Sequence, residues 1–175
     1  MKRFFMTVVA LLGATSLFAQ TDIVAVFQQG LGNAKAGNYT EAIAQFQSVI
    51  DASWDVEEPD ANQLKAIAGS KKFIVTCYNK MGVAAVNAQD YETAIANFQQ
   101  AADTALLYED MAAHNKNNTM IGQVYEVQGA SAFNSEDYAT AIAVFEKGYA
   151  ADPRNTGMAL NLAESYFRSE KYQDR

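Results

Sequence analysis

The side chains that most often carry enzyme chemistry are scarce in this sequence. It contains one histidine, His114, and one cysteine, Cys77. A histidine acting as a general base, or a cysteine acting as a nucleophile, needs a second group that holds it or takes up its proton. His114 stands among asparagines and Cys77 stands next to Tyr78, so neither has such a companion nearby. We interpret His114 as a solvated residue in the last turn of a helix and Cys77 as a small buried side chain.

Two further stretches have some features of ligand-binding motifs. The glycines of GLGNAKAG, residues 30–37, are spaced G-x-G-x-x-x-x-G inside a predicted helix, which is not the context of a phosphate-binding loop. The acids of DVEEPD, residues 55–60, lack the alternating Asp positions, the glycine and the closing Glu of a Ca²⁺ loop. The sequence therefore predicts no catalytic residue, no cofactor, no metal ligand and no enzyme.

Composition and charge narrow the classes of partner. The net charge is −7, and it falls by two to −9 without the first twenty residues, which contain two cations and no acid. So acidic a chain is poorly suited to binding nucleic acid or anionic lipid. A single cysteine excludes an internal disulfide, so stability must come from packing.

The N-terminus has the layout of a secretory signal peptide. Two cations precede an apolar run at residues 4–12, and small residues then lead to Ala19. The run is shorter than a membrane-spanning helix requires. We therefore predict that residues 1–19 are cleaved near Ala19, which leaves no membrane span and places residues 20–175 in the periplasm or outside the cell.

A ten-residue phrase that occurs three times indicates the architecture. It reads GNYTEAIAQF from Gly37, QDYETAIANF from Gln89 and EDYATAIAVF from Glu136. In each copy an Asn or Asp precedes a helical pattern of apolar residues and can cap the helix. The chain has only two prolines and is otherwise rich in helix formers. The sequence therefore predicts an all-α protein whose repeated units each contain a helix opened by this phrase.

A second helix is predicted upstream of each phrase, with a glycine near its middle. A glycine inside a helix costs about 1 kcal/mol of helix propensity and therefore needs a packing reason. We infer that the phenylalanine of the phrase lies over this glycine where two antiparallel helices cross closely. The three glycine–phenylalanine pairs are Gly30 with Phe46, Gly82 with Phe98 and Gly129 with Phe145. Such a hairpin cannot bury its apolar face alone and must stack on its neighbours.

These units resemble tetratricopeptide repeats. The second unit matches the family pattern at Tyr78, Met81, Gly82, Ala94, Phe98 and Ala101, and the third matches it at Tyr125, Gly129, Ala141, Phe145 and Pro153. The resemblance implies a right-handed α-solenoid of antiparallel helix hairpins. We expect repeats at about residues 22–54, 60–114 and 118–153 and a partial repeat at residues 156–175.

The phrases are more widely spaced than the repeats of this family. The equivalent alanines Ala42, Ala94 and Ala141 lie 52 and 47 residues apart, whereas the family period is 34 residues. We assign the additional residues to elongated helices in the middle of the array, at about residues 60–88 and 91–114. Clusters of turn-forming or acidic residues predict breaks at residues 55–59, 115–118 and 152–155.

The resemblance also implies a binding surface. In such arrays the concave groove is lined mainly by the first helix of each hairpin. The family register places eight candidate groove residues there: Phe27, Leu31, Asn79, Val83, Asn87, Gln123, Glu126 and Asn134. The family's clamp for a terminal carboxylate is absent, because Phe27, Leu31, Gln123 and Val127 occupy its positions.

We therefore expect a non-enzymatic scaffold of the bacterial envelope that binds a protein or peptide segment in this groove. A carbohydrate-capture protein, a sensor arm and the N-terminal module of a longer protein are the alternatives. We expect the helix after Pro153 to lack a partner helix within these residues, because the next phrase would open at Tyr172. We expect Leu162 and Tyr166 to lean on the third repeat with part of their surface open, in a longer array or a homodimer formed through this end.

Overall fold

The computed structural model describes residues 22–173, with side chains up to residue 170. Within this range there are seven α-helices, one 3₁₀ turn at Ser53–Asp55 and no strand. The helices are α1 (Ile23–Ala36), α2 (Tyr39–Ala52), α3 (Ala61–Asn87), α4 (Tyr91–Leu107), α5 (Met111–Asn134), α6 (Tyr138–Ala151) and α7 (Thr156–Gln173). The predicted signal peptide, residues 1–19, lies outside the described residues and stays a prediction.

Consecutive helices pack in pairs along the chain. The hairpins are α1 with α2, α3 with α4 and α5 with α6, and α7 packs on α6. The odd-numbered helices also contact one another, α1 with α3, α3 with α5 and α5 with α7. Between residues 22 and 173 the even-numbered helices make no comparable contacts with each other. The predicted all-α solenoid is thus confirmed, and the odd-numbered helices form its continuous face.

The predicted glycine–phenylalanine pairs lie where the two helices of each hairpin cross. A Cβ atom at Gly82 would lie 2.6 Å from Cε1 of Phe98, and the other two pairs are comparably close. All three phenylalanine side chains are at most 2% exposed. Because Cβ atoms essentially never approach another atom so closely, only glycine lets the two helices of each hairpin cross at this distance. The proposed reason for the mid-helix glycines is confirmed.

The turns before α4, α5 and α6 share one backbone conformation. Gln89, Glu109 and Glu136 adopt φ values of 59°, 61° and 62°, which are uncommon for residues other than glycine. Each is followed by an Asp whose carboxylate accepts a hydrogen bond from the backbone N–H three residues later. Hydrogen bonds from the side chains of Thr93 and Thr140, and then those from their backbone N–H groups, lower the pKa of the Asp90 and Asp137 carboxyls. Asn38, at the equivalent place before α2, makes no such capping bond.

One predicted helix boundary is wrong. A helix was expected at residues 91–114 and a break at residues 115–118, but α4 ends at Leu107 and α5 begins at Met111. The additional residues between the second and third phrases therefore lengthen α5 to 24 residues, whereas α4 has 17. The other long helix, expected at residues 60–88, is present as α3. The expected breaks at residues 55–59 and 152–155 are also present.

Contacts with α4 and bonds within α5 keep residues 115–118 helical. Nδ1 of His114 lies 3.0 Å from the carbonyl oxygen of Ala102 in α4, and its Nε2 lies 3.0 Å from Nδ2 of Asn118. Asn117 is buried and donates to the carbonyl of Ala113 at 2.9 Å. The polar side chains that indicated a turn therefore lie in a helix, where Asn115 and Lys116 are exposed, although the buried Oδ1 of Asn117 has no hydrogen-bond partner among the described residues. His114 is accordingly a half-buried residue near the start of α5, not a solvated residue in a last turn.

The packing of α7 follows the expectation for its two named side chains. Leu162 is partly buried against the cluster of Ala141, Phe145 and Met158. Tyr166 keeps 45% of its surface exposed and donates a hydrogen bond from its hydroxyl to Glu146 at 2.6 Å. Both residues therefore lean on the third hairpin, and α7 extends the odd-numbered face beyond α5.

Candidate functional site

Two apolar pockets open between odd-numbered helices. The first, here called the α1–α3 pocket, has a volume of about 350 Å³ and is lined by residues that include Leu31 and Lys80. The second, the α3–α5 pocket, has a volume of about 190 Å³ and is lined by residues that include Val83 and Val127. Lys80 and Val83 are three residues apart on α3, which corresponds to a rise of about 4.5 Å. The two pockets are therefore neighbours on either side of α3.

The eight candidate groove residues divide between the pockets and their surroundings. Leu31 lines the α1–α3 pocket, and Val83 and Gln123 line the α3–α5 pocket. Asn87 and Asn134 are exposed near the ends of α3 and α5 and line neither pocket. The structure thus brings Val83 and Gln123 together from different helices and places Leu31 across α3 from them.

The other three candidates are occupied by contacts within the array or lie partly buried. Phe27 covers Gly69 of α3, where a Cβ atom would lie 2.7 Å from its ring, and its centroid is 5.7 Å from that of Phe46. Glu126 accepts a hydrogen bond at 3.2 Å from the amide of Asn155, before α7. Asn79 is half-buried, and its buried Oδ1 has no hydrogen-bond partner among the described residues. Phe27 in particular joins the first two hairpins.

Several lining residues were not among the eight candidates. Val127 and Met120 line the α3–α5 pocket, and Lys80 lines the α1–α3 pocket. Helical spacing alone relates them to the candidates, because Met120 and Val127 lie three and four residues from Gln123, and Lys80 lies three residues before Val83. Extending the candidate set to residues three or four positions away on the same helix face would have included all three.

The pockets have few side chains that could act as a nucleophile or bind a metal ion. Cys77 lines the α1–α3 pocket but is only 1% exposed, and burial raises the pKa of its thiol to about 11. Such a thiol stays protonated at neutral pH and is a poor nucleophile, in agreement with the small buried side chain that was predicted. Among the described residues no group of three or more His, Cys, Asp or Glu side chains could hold a metal ion. None of the helices in this range is long and apolar enough to cross a membrane.

Two comparisons found similar proteins, one over the C-terminal part of the chain and one over most of it. Residues 127–174 match the family model of the tetratricopeptide repeat, and no curated protein is significantly similar to the chain. Among solved structures, the C-terminal tetratricopeptide-repeat-containing domain of a Plasmodium falciparum protein described as FK506-binding has 13% sequence identity and a TM-score of 0.34, covering 90% of this chain and 97% of that one. The matched residues include the Gly129–Phe145 pair, which the two preceding hairpins repeat as Gly82–Phe98 and Gly30–Phe46.

Proposed function

We propose that this chain, whose residues 127–174 match the tetratricopeptide repeat model, is a tetratricopeptide repeat protein and a non-enzymatic scaffold that binds an extended segment of a partner protein across its odd-numbered helices. The observation that carries the proposal is the α3–α5 pocket. Val83 of α3 and Val127 of α5 are 43% and 51% exposed, although both line the same concave apolar surface. An apolar side chain of a partner that enters this pocket would remove both valines from water.

The spacing of the pockets suits an extended segment. Neighbouring helices are about 8–10 Å apart, and an extended chain advances about 3.3–3.6 Å per residue. A side chain in the α3–α5 pocket and one in the α1–α3 pocket are therefore about three residues apart, a spacing that places both on one face of an extended segment of the polyproline II type, which has three residues per turn. A partner segment of about ten residues would cross α3 with its two anchoring side chains in the two pockets.

We expect the double substitution Val83→Ser and Val127→Ser to weaken partner binding. Each valine contributes apolar area that binding would bury, and half-burial of two such side chains is worth about 1–2 kcal/mol, or roughly a fivefold to thirtyfold change in Kd. Partners are first recovered from envelope extract with the wild-type chain and identified by mass spectrometry. The affinity of the wild-type chain and of the variant for each purified partner is then measured by calorimetry.

The matched control for this experiment is the substitution of Leu106 and Leu107 by serine. These leucines are 49% and 72% exposed at the end of α4 and line neither pocket. The control variant should bind like the wild type, and circular dichroism should show that all variants keep their helix content. If the partner binds the Val83 and Val127 variant with unchanged affinity, its binding site lies elsewhere on the array.

We also propose that the protein acts in the bacterial envelope after residues 1–19 have been removed. The support is the N-terminal pattern of two cations, an apolar run and small residues before Ala19. When the full chain is expressed in a Gram-negative host, the mature protein in the periplasmic fraction should begin after Ala19, as determined by intact-mass measurement. Retention of the complete N-terminus in the cytoplasmic fraction would contradict this assignment, and substitution of Lys2 and Arg3 by Glu is expected to reduce export.

A further inference from the structure

The charge of the α1–α3 pocket is opposite to that of the chain as a whole. The chain has 20 acids and 13 lysines and arginines, yet the lining of this pocket includes Lys35 and Lys80 and no Asp or Glu. Among the described residues the ion pairs within 4.0 Å involve Arg154 and Arg168, not these lysines. The α1–α3 pocket therefore presents two unpaired cations beside an apolar surface.

The helix dipole can account for the position of one of the two lysines but not for that of the other. Lys35 lies in the last turn of α1, where the helix dipole by itself favours a cation. Lys80 lies seven residues before the end of α3 at Asn87, outside the last turn, so no helix terminus explains its charge. The apolar surface between them is formed by Leu31 and Phe73, and the Phe73 ring stacks on Phe46 at a centroid distance of 5.5 Å. This surface is therefore held rigidly by the core.

We propose that the α1–α3 pocket selects partner segments in which a large apolar side chain is flanked by Asp or Glu. This inference rests on the groove binding proposed above and adds the chemistry of the partner. The volume of about 350 Å³ lies in the range of small-ligand pockets, about 300–1,000 Å³, and it accepts one apolar side chain. A neighbouring carboxylate then meets the ammonium group of Lys35 or Lys80 in a charge-assisted hydrogen bond.

The position and the charge of the α1–α3 pocket favour an internal acidic segment of a partner protein over a chain end or residues 1–21 of this chain. The α3–α5 pocket lies on the other side of α3, so a segment that occupies both pockets extends beyond the lysines, and its acids belong to side chains rather than to a terminal carboxylate. Residues 1–21 of this chain contain apolar side chains but no Asp or Glu. They therefore lack the group that Lys35 and Lys80 would bind, and charge complementarity favours a separate acidic protein.

The test uses an array of synthetic peptides of about ten residues, acetylated and amidated at their ends. Each has two leucines about three residues apart, with acidic, neutral or basic flanking residues. The wild-type chain should bind the acidic set best. The double substitution Lys35→Gln and Lys80→Gln should weaken the binding of acidic peptides roughly threefold to tenfold, as expected for two partly exposed ion pairs. The binding of neutral peptides should stay unchanged. Added salt should weaken the binding of acidic peptides to the wild-type chain, but not to the Lys35 and Lys80 variant.

The control substitutes Lys65 and Lys116 by glutamine, which removes the same net charge from two exposed lysines outside both pockets. This variant should keep the acidic preference. Equal binding of acidic and neutral peptides by the wild type, or an unchanged preference in the Lys35 and Lys80 variant, would overturn charge selection and leave groove binding standing. Binding of no peptide at all would instead refute groove binding.

Two further outcomes would overturn the assignment of the occupant. A strong preference for the same peptides with a free carboxyl terminus would assign the lysines to a chain end. Concentration-dependent self-association in sedimentation, abolished by the Lys35 and Lys80 substitutions, would assign the pocket to a second copy of this chain. A monomer that binds amidated acidic peptides supports the proposal.

Discussion

Replacing Phe98 by alanine is expected to lower the free energy of unfolding by about 3–5 kcal/mol. The ring is 2% exposed and fills the crossing of α3 and α4 over Gly82. It also belongs to a buried cluster with Ile121 and Val124 of α5, so its removal opens a cavity bounded by three helices. Rigid helices cannot close such a cavity fully, and both the transfer free energy and the packing contacts are lost. Phe145, 1% exposed, should behave alike.

Thermal and urea unfolding of the mature chain would measure this effect. For a protein of this size the loss corresponds to a decrease in Tm of roughly 6–20 °C. The matched control is Trp54→Ala, which removes a larger ring from a site that is 84% exposed, and it should change the stability by less than about 0.5 kcal/mol. Equal shifts for Phe98→Ala and Trp54→Ala would show that the ring does not support the helix crossing.

Replacing Gly82 by leucine is expected to destabilise the same crossing by about 1–3 kcal/mol, and here the cause is overpacking. Even the Cβ atom of an alanine would lie 2.6 Å from the Phe98 ring. A leucine must push α3 away from α4 or drive the ring out of its rotamer. Urea unfolding gives the loss of stability, and hydrogen exchange in α3 and α4 should show that the loss is centred on this hairpin.

Two further variants separate overpacking from other effects of the leucine. Gly32→Leu is the control, because a Cβ atom at Gly32 has no atom within 4 Å, and replacing a helical glycine there should be neutral or stabilising by up to about 1 kcal/mol. In the double variant Gly82→Leu and Phe98→Ala the leucine can occupy the space of the ring. Its loss of stability should therefore be smaller than the sum of the two single losses. Additive losses would contradict the direct contact.

The hairpins could be predicted from sequence because the residues that specify them are close together in the chain. In each pair the phenylalanine follows its glycine by sixteen residues: Gly30 to Phe46, Gly82 to Phe98 and Gly129 to Phe145. A helix period and a short turn are sufficient to bring two such residues face to face. The turn before α5 has the same local arrangement as those before α4 and α6, a residue with positive φ, here Glu109, followed by a capping Asp, here Asp110. Its recurrence marks the true break, which the polar composition of residues 115–118 obscured.

The sequence by itself determined the helical repeats and their glycine contacts, whereas only the tertiary structure decided which side chains form the pockets. Leu31 and Lys80 are 49 residues apart, and they line one pocket because α3 packs against α1. Helical periodicity gives the direction of a side chain around its own axis, but not what the neighbouring helix covers. Phe27 has the register of a groove residue, and its ring also packs over Gly69 of α3, where the absence of a Cβ atom leaves space for it.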